Sequence, residues 1–458
     1  MKWVGLALVL GAIFPLSDWL RRNPLQAWKV WVLVGLMPFL MTVAHLVMAF
    51  TLLDGNPLSF YVHGAEFSVL DALAIAIFFS LPGRRLSLPF SFAMLLYFVA
   101  VLASSLQAIY PAATVFYAWQ LARMFLVYAV VAKASVDPRV PSAILKGMAA
   151  ALFAQAIVVM WQKFGLGLPQ TSGTFDHQNI LGLISHFIVF PFFALLLAGR
   201  GGRMAGAVVL CGAIIEVLTA SRATIGLAGF GYAIVFLFSA LRRWTSRKAV
   251  ILAIGVTALA VLAPIAISSI EVRGPNELAG SDKARTAMED AALLLISSHP
   301  LGVGANNYVL AANLYGANAA AGLDWSENSV FVHNAYFLVT AETGYPGLIA
   351  LLLLLVRPII VAFRCSMKHS HDARGDLLLG LGVALLIASI HGAFEWVFIL
   401  DLTQYMLAIS FGMVVGLARQ LGYWGRPYAL DLPLKVGGAP IQSKTMTGLI
   451  GQRGNEIP

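Results

Sequence analysis

Charge is what this sequence has least of. Only 11% of its 458 residues are Asp, Glu, Lys or Arg, against about 25% in a soluble domain. So low a charged fraction excludes a water-soluble enzyme, a disordered chain and a coiled coil. Cysteine is scarcer still: Cys211 sits in an apolar segment and Cys365 in a basic one, so no disulfide framework is expected. Metal-ligand spacing is missing as well, because His177 and His333 belong to no HxxxH or HExxH pattern. No inverted internal repeat of the kind that marks many transporters is found.

What is present in quantity is apolar length. Hydrophobic residues make up 60% of the chain, and the mean hydropathy is +0.83. Thirteen apolar segments follow one another, near 3–16, 28–50, 64–81, 88–108, 112–132, 142–162, 180–198, 204–220, 223–241, 249–269, 334–356, 376–398 and 402–420. Backbone polar groups in hydrocarbon must bond within their own segment, so each is read as a helix. Runs such as LLLLLV at 351–356 do not alternate as barrel strands do. The expected fold is all-α: a polytopic membrane helix bundle of 12–13 transmembrane helices with one large outer loop. The first segment resembles a signal peptide but has no small-x-small site before Asp18 and Trp19, so it reads as retained.

The formal charge of +9 is a matter of placement. Of 30 basic residues, 23 fall in the loops 21–29, 83–87, 133–146, 199–203, 241–248 and 357–375 and in the tail from 419. Every second loop is basic, which makes those loops cytoplasmic and removes the case for nucleic acid. Thirteen spans put the N-terminus outside, against Lys2; twelve result if the short first segment does not cross. Five regions follow: N-terminal helices at 1–110, central helices at 111–269, the large polar loop at 270–333, C-terminal helices at 334–420, and a poorly ordered Gly- and Pro-rich cytoplasmic tail at 421–458. Within the loop, Ser281 to Ser298 has helical spacing in Ala284, Met288, Ala291, Ala292 and Leu295, as a helix lying on the membrane surface would.

Charges inside spans each cost about 2.5–3.5 kcal/mol on insertion scales, so each needs a reason. Asp71, Arg123, Glu216, Glu342 and Glu395 are the candidates. Arg123 either holds an anionic group or pairs internally with Asp71 or Glu216 to fix helix packing. Glu342 and Glu395 lie near outer helix ends, within reach of water or of outer basic residues. On the outer side, Asp176, His177 and Asn179 precede the seventh segment, and Ser221 and Arg222 occupy a tight turn between the eighth and ninth. Arg273, Lys283 and Arg285 lie in the large loop, and His333 begins the helix that follows it. A lone loop histidine is more often simply solvated, and Gly302-Val303-Gly304 follows no strand, so it reads as a turn and not a nucleotide cradle. Convergence is what distinguishes Arg222, Arg285 and His333, all at membrane-edge positions on the side otherwise poor in basic residues. Arginine presents a fixed fork of donors to a phosphate or diphosphate. A histidine can take a proton from a sugar hydroxyl.

The ordered set GTFDHQN (173–179), SRATIG (221–226), SHPLGVGANNY (298–308) and HNAYFLVTAETGYPG (333–347) resembles the O-antigen ligase and polymerase superfamily over roughly residues 115–420. The resemblance implies a multi-pass glycosyltransferase of the bacterial inner membrane with its active site facing the periplasm. It implies no cofactor and no metal, and an undecaprenyl-diphosphate-linked glycan as donor. The acceptor is lipid A core in a ligase or a second lipid-linked glycan in a polymerase, and the ligase layout is the nearer one. Arg222 corresponds to the family's first arginine, Arg285 or alternatively Arg273 to its loop arginine, and His333 to its histidine. Catalytic roles therefore fall to His333, Arg222 and Arg285, and substrate contacts to Arg273, Arg123, Asn334, His177 and Asn179. A transporter or flippase is the competing class, supported by the buried charges Arg123 and Asp71. Membrane lipid is an expected partner and nucleic acid is not.

Overall fold

A computed structural model describes residues 2–40, 49–54, 60–81, 87–271, 275–323, 329–425, 434–436 and 439–441. Among these residues it is 76% helical, with sixteen helices and almost no sheet, and each of the thirteen apolar segments carries one. The chain opens with α1 (Lys2–Arg22) and α2 (Trp28–Leu40), then a hairpin of β1 (Ala49–Asp54) and β2 (Gly64–Ser68), then α3 (Val69–Ser80) and α4 (Ser91–Ser104). The central helices are α5 (Pro111–Ala134), α6 (Arg139–Met160), α7 (Gln178–Leu197), α8 (Gly202–Leu218), α9 (Arg222–Arg242) and α10 (Ser246–Glu271). Then come α11 (Pro275–Ser298), two short helices α12 (Tyr308–Leu314) and α13 (Ala317–Ala320), and finally α14 (Ala335–Lys368), α15 (Ala373–His391) and α16 (Asp401–Gln420). Strands β3 (Leu434–Val436) and β4 (Ala439–Ile441) pair antiparallel in the tail; the rest of the tail beyond Gly425 lies outside the described residues, as does Arg273.

Among the described residues, eight helices are long and apolar enough to cross a membrane. The shorter α2, α3 and α4 explain part of the difference from twelve or thirteen, because 12–14 residues rise only about 18–21 Å against a hydrocarbon core of about 30 Å. The apolar ends at Ala49–Phe50 and Gly64–Ser68, expected as helix, form the β1–β2 hairpin instead. The first helix moves the other way. It runs on from residue 16 to Arg22, and the Arg21 side chain donates to the Phe79 carbonyl at 3.1 Å. The C-terminal ends of α1 and α3 therefore meet, and the two helices run parallel.

Burial follows position in the bundle. Within its apolar window, α16 is 94% buried and α7 89%, whereas α9 is 33% buried and presents most of its surface outward. Small residues allow the closest crossings. A Cβ on Gly35 would stand 2.1 Å from the Ile144 carbonyl oxygen, and one on Gly147 2.0 Å from that of Val32, so α2 and α6 touch backbone to backbone.

The large polar loop packs as a cap on one end. Met288, Ala291, Ala292 and Leu295 of α11 are buried together with Val303, Tyr308, Val309, Val332 and Leu338. The apolar stripe expected to lie on lipid is thus spent on the protein's own core. Glycine makes the next joint possible. Helix α14 breaks at Gly344, whose φ of +67° is open to glycine and strained for most other residues. Into the gap comes 300–304: Val303 N–H donates to Ala341 O at 2.9 Å, Gly304 N–H to Glu342 O at 2.8 Å, and Tyr345 N–H to Pro300 O at 3.3 Å. Glu342 secures the same joint by accepting from Tyr61 Oη at 2.6 Å and Tyr308 N–H at 3.1 Å. The glycines of 302–304 therefore seal a loop against a broken helix.

Candidate functional site

The capped end of the bundle gathers polar side chains around one carboxylate, Glu395, in the turn between α15 and α16. Local structure sets each member. Gln155 and Gln162 on α6 and its continuation clasp Gly173 and Thr174 through both backbone and side-chain bonds, which fixes the approach to α7. His177 caps α7, its Nδ1 accepting from Asn179 N–H at 3.2 Å. Across the turn from α8 to α9, Ala220 takes a φ of +49° and Ser221 caps α9, accepting from Thr224 N–H at 3.2 Å. Ser221 Oγ donates to Asn179 Oδ1, and Asn179 Nδ2 donates to Glu395 Oε1. The first residue of α9 is Arg222, which is exposed.

Two further groups complete the cluster. Ala335 N–H donates to Gly392 O at 2.7 Å, which pins the start of α14 to the end of α15. His333 is thereby brought to Glu395, with Nδ1 2.8 Å from Oε2. From α11, Arg285 Nη2 reaches Glu395 Oε1 at 2.9 Å and its Nη1 reaches the Phe394 carbonyl at 3.2 Å. Burial pushes the Glu395 carboxyl up, but the His333 hydrogen bond and the charges of His333, Arg285 and His177 outweigh it and hold the pKa at about 2. Glu395 is consequently ionised at any physiological pH. A carboxylate that binds His333 at Nδ1 leaves Nε2 as the ring nitrogen available to a reacting group. The side chains of Arg285 and His333 keep 35% and 23% exposure, enough to meet a ligand.

Not every expected residue joins. Arg123, expected either to hold an anionic group or to pair internally, is consumed inside the bundle. Its side chain is 4% exposed, lies 3.0 Å from Asp71 and donates to Tyr405 Oη at 2.9 Å and to the Glu66 carbonyl at 2.9 Å. A guanidinium so enclosed is engaged by the bundle's own groups. Breaking such a buried pair costs about 3–5 kcal/mol, so Arg123→Ala is expected to lower the unfolding temperature of the purified protein sharply. Asn334 caps α14, its Oδ1 accepting from Tyr336 and Phe337 N–H, which leaves only its amide nitrogen for another partner. Glu216 accepts from Tyr232 Oη at 3.0 Å and lies 3.8 Å from His186, away from Arg123.

Glu395 itself was visible in the sequence only as a charge near a helix end, with nothing to single it out as the hub. Residues 206–352 match a family model described as O-antigen ligase. Over that stretch the chain is similar to the O-antigen ligase family. The matched stretch covers less than half of the chain, yet it contains Arg222, Arg285 and His333; Asn179 and Glu395 lie outside it. It supports a membrane glycosyltransferase of the O-antigen ligase and polymerase family, and lipid-linked glycans as the general substrate class. No curated protein matches the sequence.

Proposed function

We propose that this protein moves a glycan from undecaprenyl diphosphate to a sugar hydroxyl of an acceptor, lipid A core, at the periplasmic face of the bacterial inner membrane. The observation that carries the reading is the meeting of His333, Arg285 and Asn179 on Glu395, one hydrogen-bonded step from Ser221 and the start of α9. The partition of basic residues supports the periplasmic side, because this end of the bundle lies opposite the basic loops.

The chemistry follows from the groups. Arg222 and Arg285 bind the donor diphosphate, whose charge grows as its bond to the anomeric carbon breaks. His333 Nε2 takes the proton of the acceptor hydroxyl as that oxygen attacks the anomeric carbon from the opposite face. Glu395 fixes the ring through Nδ1 and stabilises the imidazolium that forms, as a carboxylate does behind a histidine base. Undecaprenyl diphosphate leaves with the bonding pair, and the configuration at carbon inverts. The charge of the leaving group is met by guanidinium, so no metal is required.

The test is the reaction itself. Purified full-length protein in proteoliposomes, given an undecaprenyl-diphosphate-linked glycan and lipid A core, is expected to yield the glycosylated acceptor by mass spectrometry without added metal or ATP. Glu395→Gln removes the charge behind His333 and should slow transfer by at least ~10-fold with normal insertion. Growth of the glycan on a second lipid-linked chain, with none on lipid A core, would mark a polymerase. Unchanged donor and acceptor would refute the reading.

A further inference from the structure

At the end of the bundle opposite Glu395, the turns after α7, between α9 and α10 and between α14 and α15 line a small cleft of roughly 70 Å³. Four cationic side chains, Arg200, Arg242, Arg243 and Lys248, line it with a single carboxylate, Asp376. Two of the cations, Arg242 and Lys248, are built in, whereas Arg243 is exposed. The Arg242 side chain is 2% exposed and lies 2.8 Å from Asp376, and Arg200 lies 3.6 Å from the same carboxylate. Lys248, 3% exposed, donates to the carbonyls of Ser239 at 2.6 Å and Arg243 at 2.5 Å, which leaves one ammonium hydrogen. Four further atoms there have no hydrogen-bond partner among the described residues although they are buried: the donors Arg200 Nη1, Arg242 Nε and Thr245 Oγ1, and Asp376 Oδ2, which lies 3.6 Å from Arg200.

One carboxylate cannot neutralise this set, and buried donors left unmade each cost free energy. An anion with several acceptor oxygens resolves both deficits at once. A phosphate group has the charge, and its oxygens suit a guanidinium fork and a hydroxyl together. We propose that this cleft is a phosphate-binding site, separate from the transfer site, that takes the phosphate of an anionic lipid headgroup or a free phosphate ion. Basic pockets between membrane helices take lipid headgroups by this chemistry. The site would fix the ends of α7, α9 and α15 to one another by a bound ligand.

The experiment uses the full chain in phosphatidylcholine nanodiscs. Thermal unfolding is followed with inorganic phosphate added and, separately, with phosphatidylglycerol in the bilayer, and retained phosphatidylglycerol is counted by native mass spectrometry. Stabilisation by phosphatidylglycerol alone identifies a headgroup site, and stabilisation by inorganic phosphate a free-anion site. Lys248→Gln and, independently, the more exposed Arg200→Gln should each weaken binding roughly tenfold, as loss of a charge-assisted hydrogen bond does. Arg364→Gln, an exposed basic residue of α14 outside the cleft, should leave it unchanged. Absence of binding by both ligands, or equal weakening by Arg364→Gln, would overturn the proposal.

Discussion

Arg222→Ala and Arg285→Ala are each expected to abolish glycan transfer while the protein is still made and inserted. The leaving diphosphate gains charge as the glycosidic bond breaks, and losing one preorganised donor at such a centre typically costs about 10²–10³-fold. A guanidinium supplies more than one donor in fixed geometry, so its removal should take activity below detection. The fold should survive, because Arg222 is exposed and Glu395 keeps His333 and Asn179 when Arg285 is gone. Lysine should rescue poorly at both positions, since a point charge does not reproduce the fork. The check is initial rate with a lipid-linked donor, normalised to the amount of inserted protein. Substantial activity in either alanine variant would remove that residue from the donor site.

His333→Ala should be slowed by about 10²–10⁴-fold, the usual worth of a general base, with donor binding retained. The acceptor hydroxyl would then lose its proton to water, so a residual rate that rises with pH is expected. The partner residue gives a second readout. Glu395 is held at a pKa of about 2, below the about 4.3 of an unfolded glutamate. Its ion pairs therefore stabilise the fold above that higher value, and the stabilisation is lost as pH falls toward 2. In His333→Ala that acid limb should shift upward, because the hydrogen bond that lowers Glu395 most is gone. Weaker donor binding with a normal saturated rate would make the histidine a phosphate ligand.

How far the sequence reached differs from element to element. Helices were legible because apolar runs such as 180–198 and 402–420 can satisfy their backbones only within themselves. The β1–β2 hairpin was not, since Phe50 and Phe67 read as apolar wherever they sit, and pairing across the hairpin leaves no local period. Burial of the α11 stripe on Tyr308 and Leu338 was equally hidden. An amphipathic face announces that it will be covered, and its spacing does not say by what. Arg222, Arg285 and His333 stood out as basic groups on the side that the charge rule leaves poor in them. Glu395 was named only for its position near a helix end; its bond to Asn179 spans a separation of 216 residues, which no motif encodes. For Arg123, the two readings differed in whether Asp71 or Glu216 faced it, and that depends on how α3, α5 and α8 pack.

The most direct measurement of the central claim is the anomeric configuration of the product. Purified full-length protein is given an undecaprenyl-diphosphate-linked glycan of known configuration, and the new linkage is read by NMR. Direct displacement by an acceptor oxygen deprotonated at His333, with the diphosphate held by Arg222 and Arg285, predicts inversion. Retention of the donor's configuration would require a covalent glycosyl intermediate and would contradict the account.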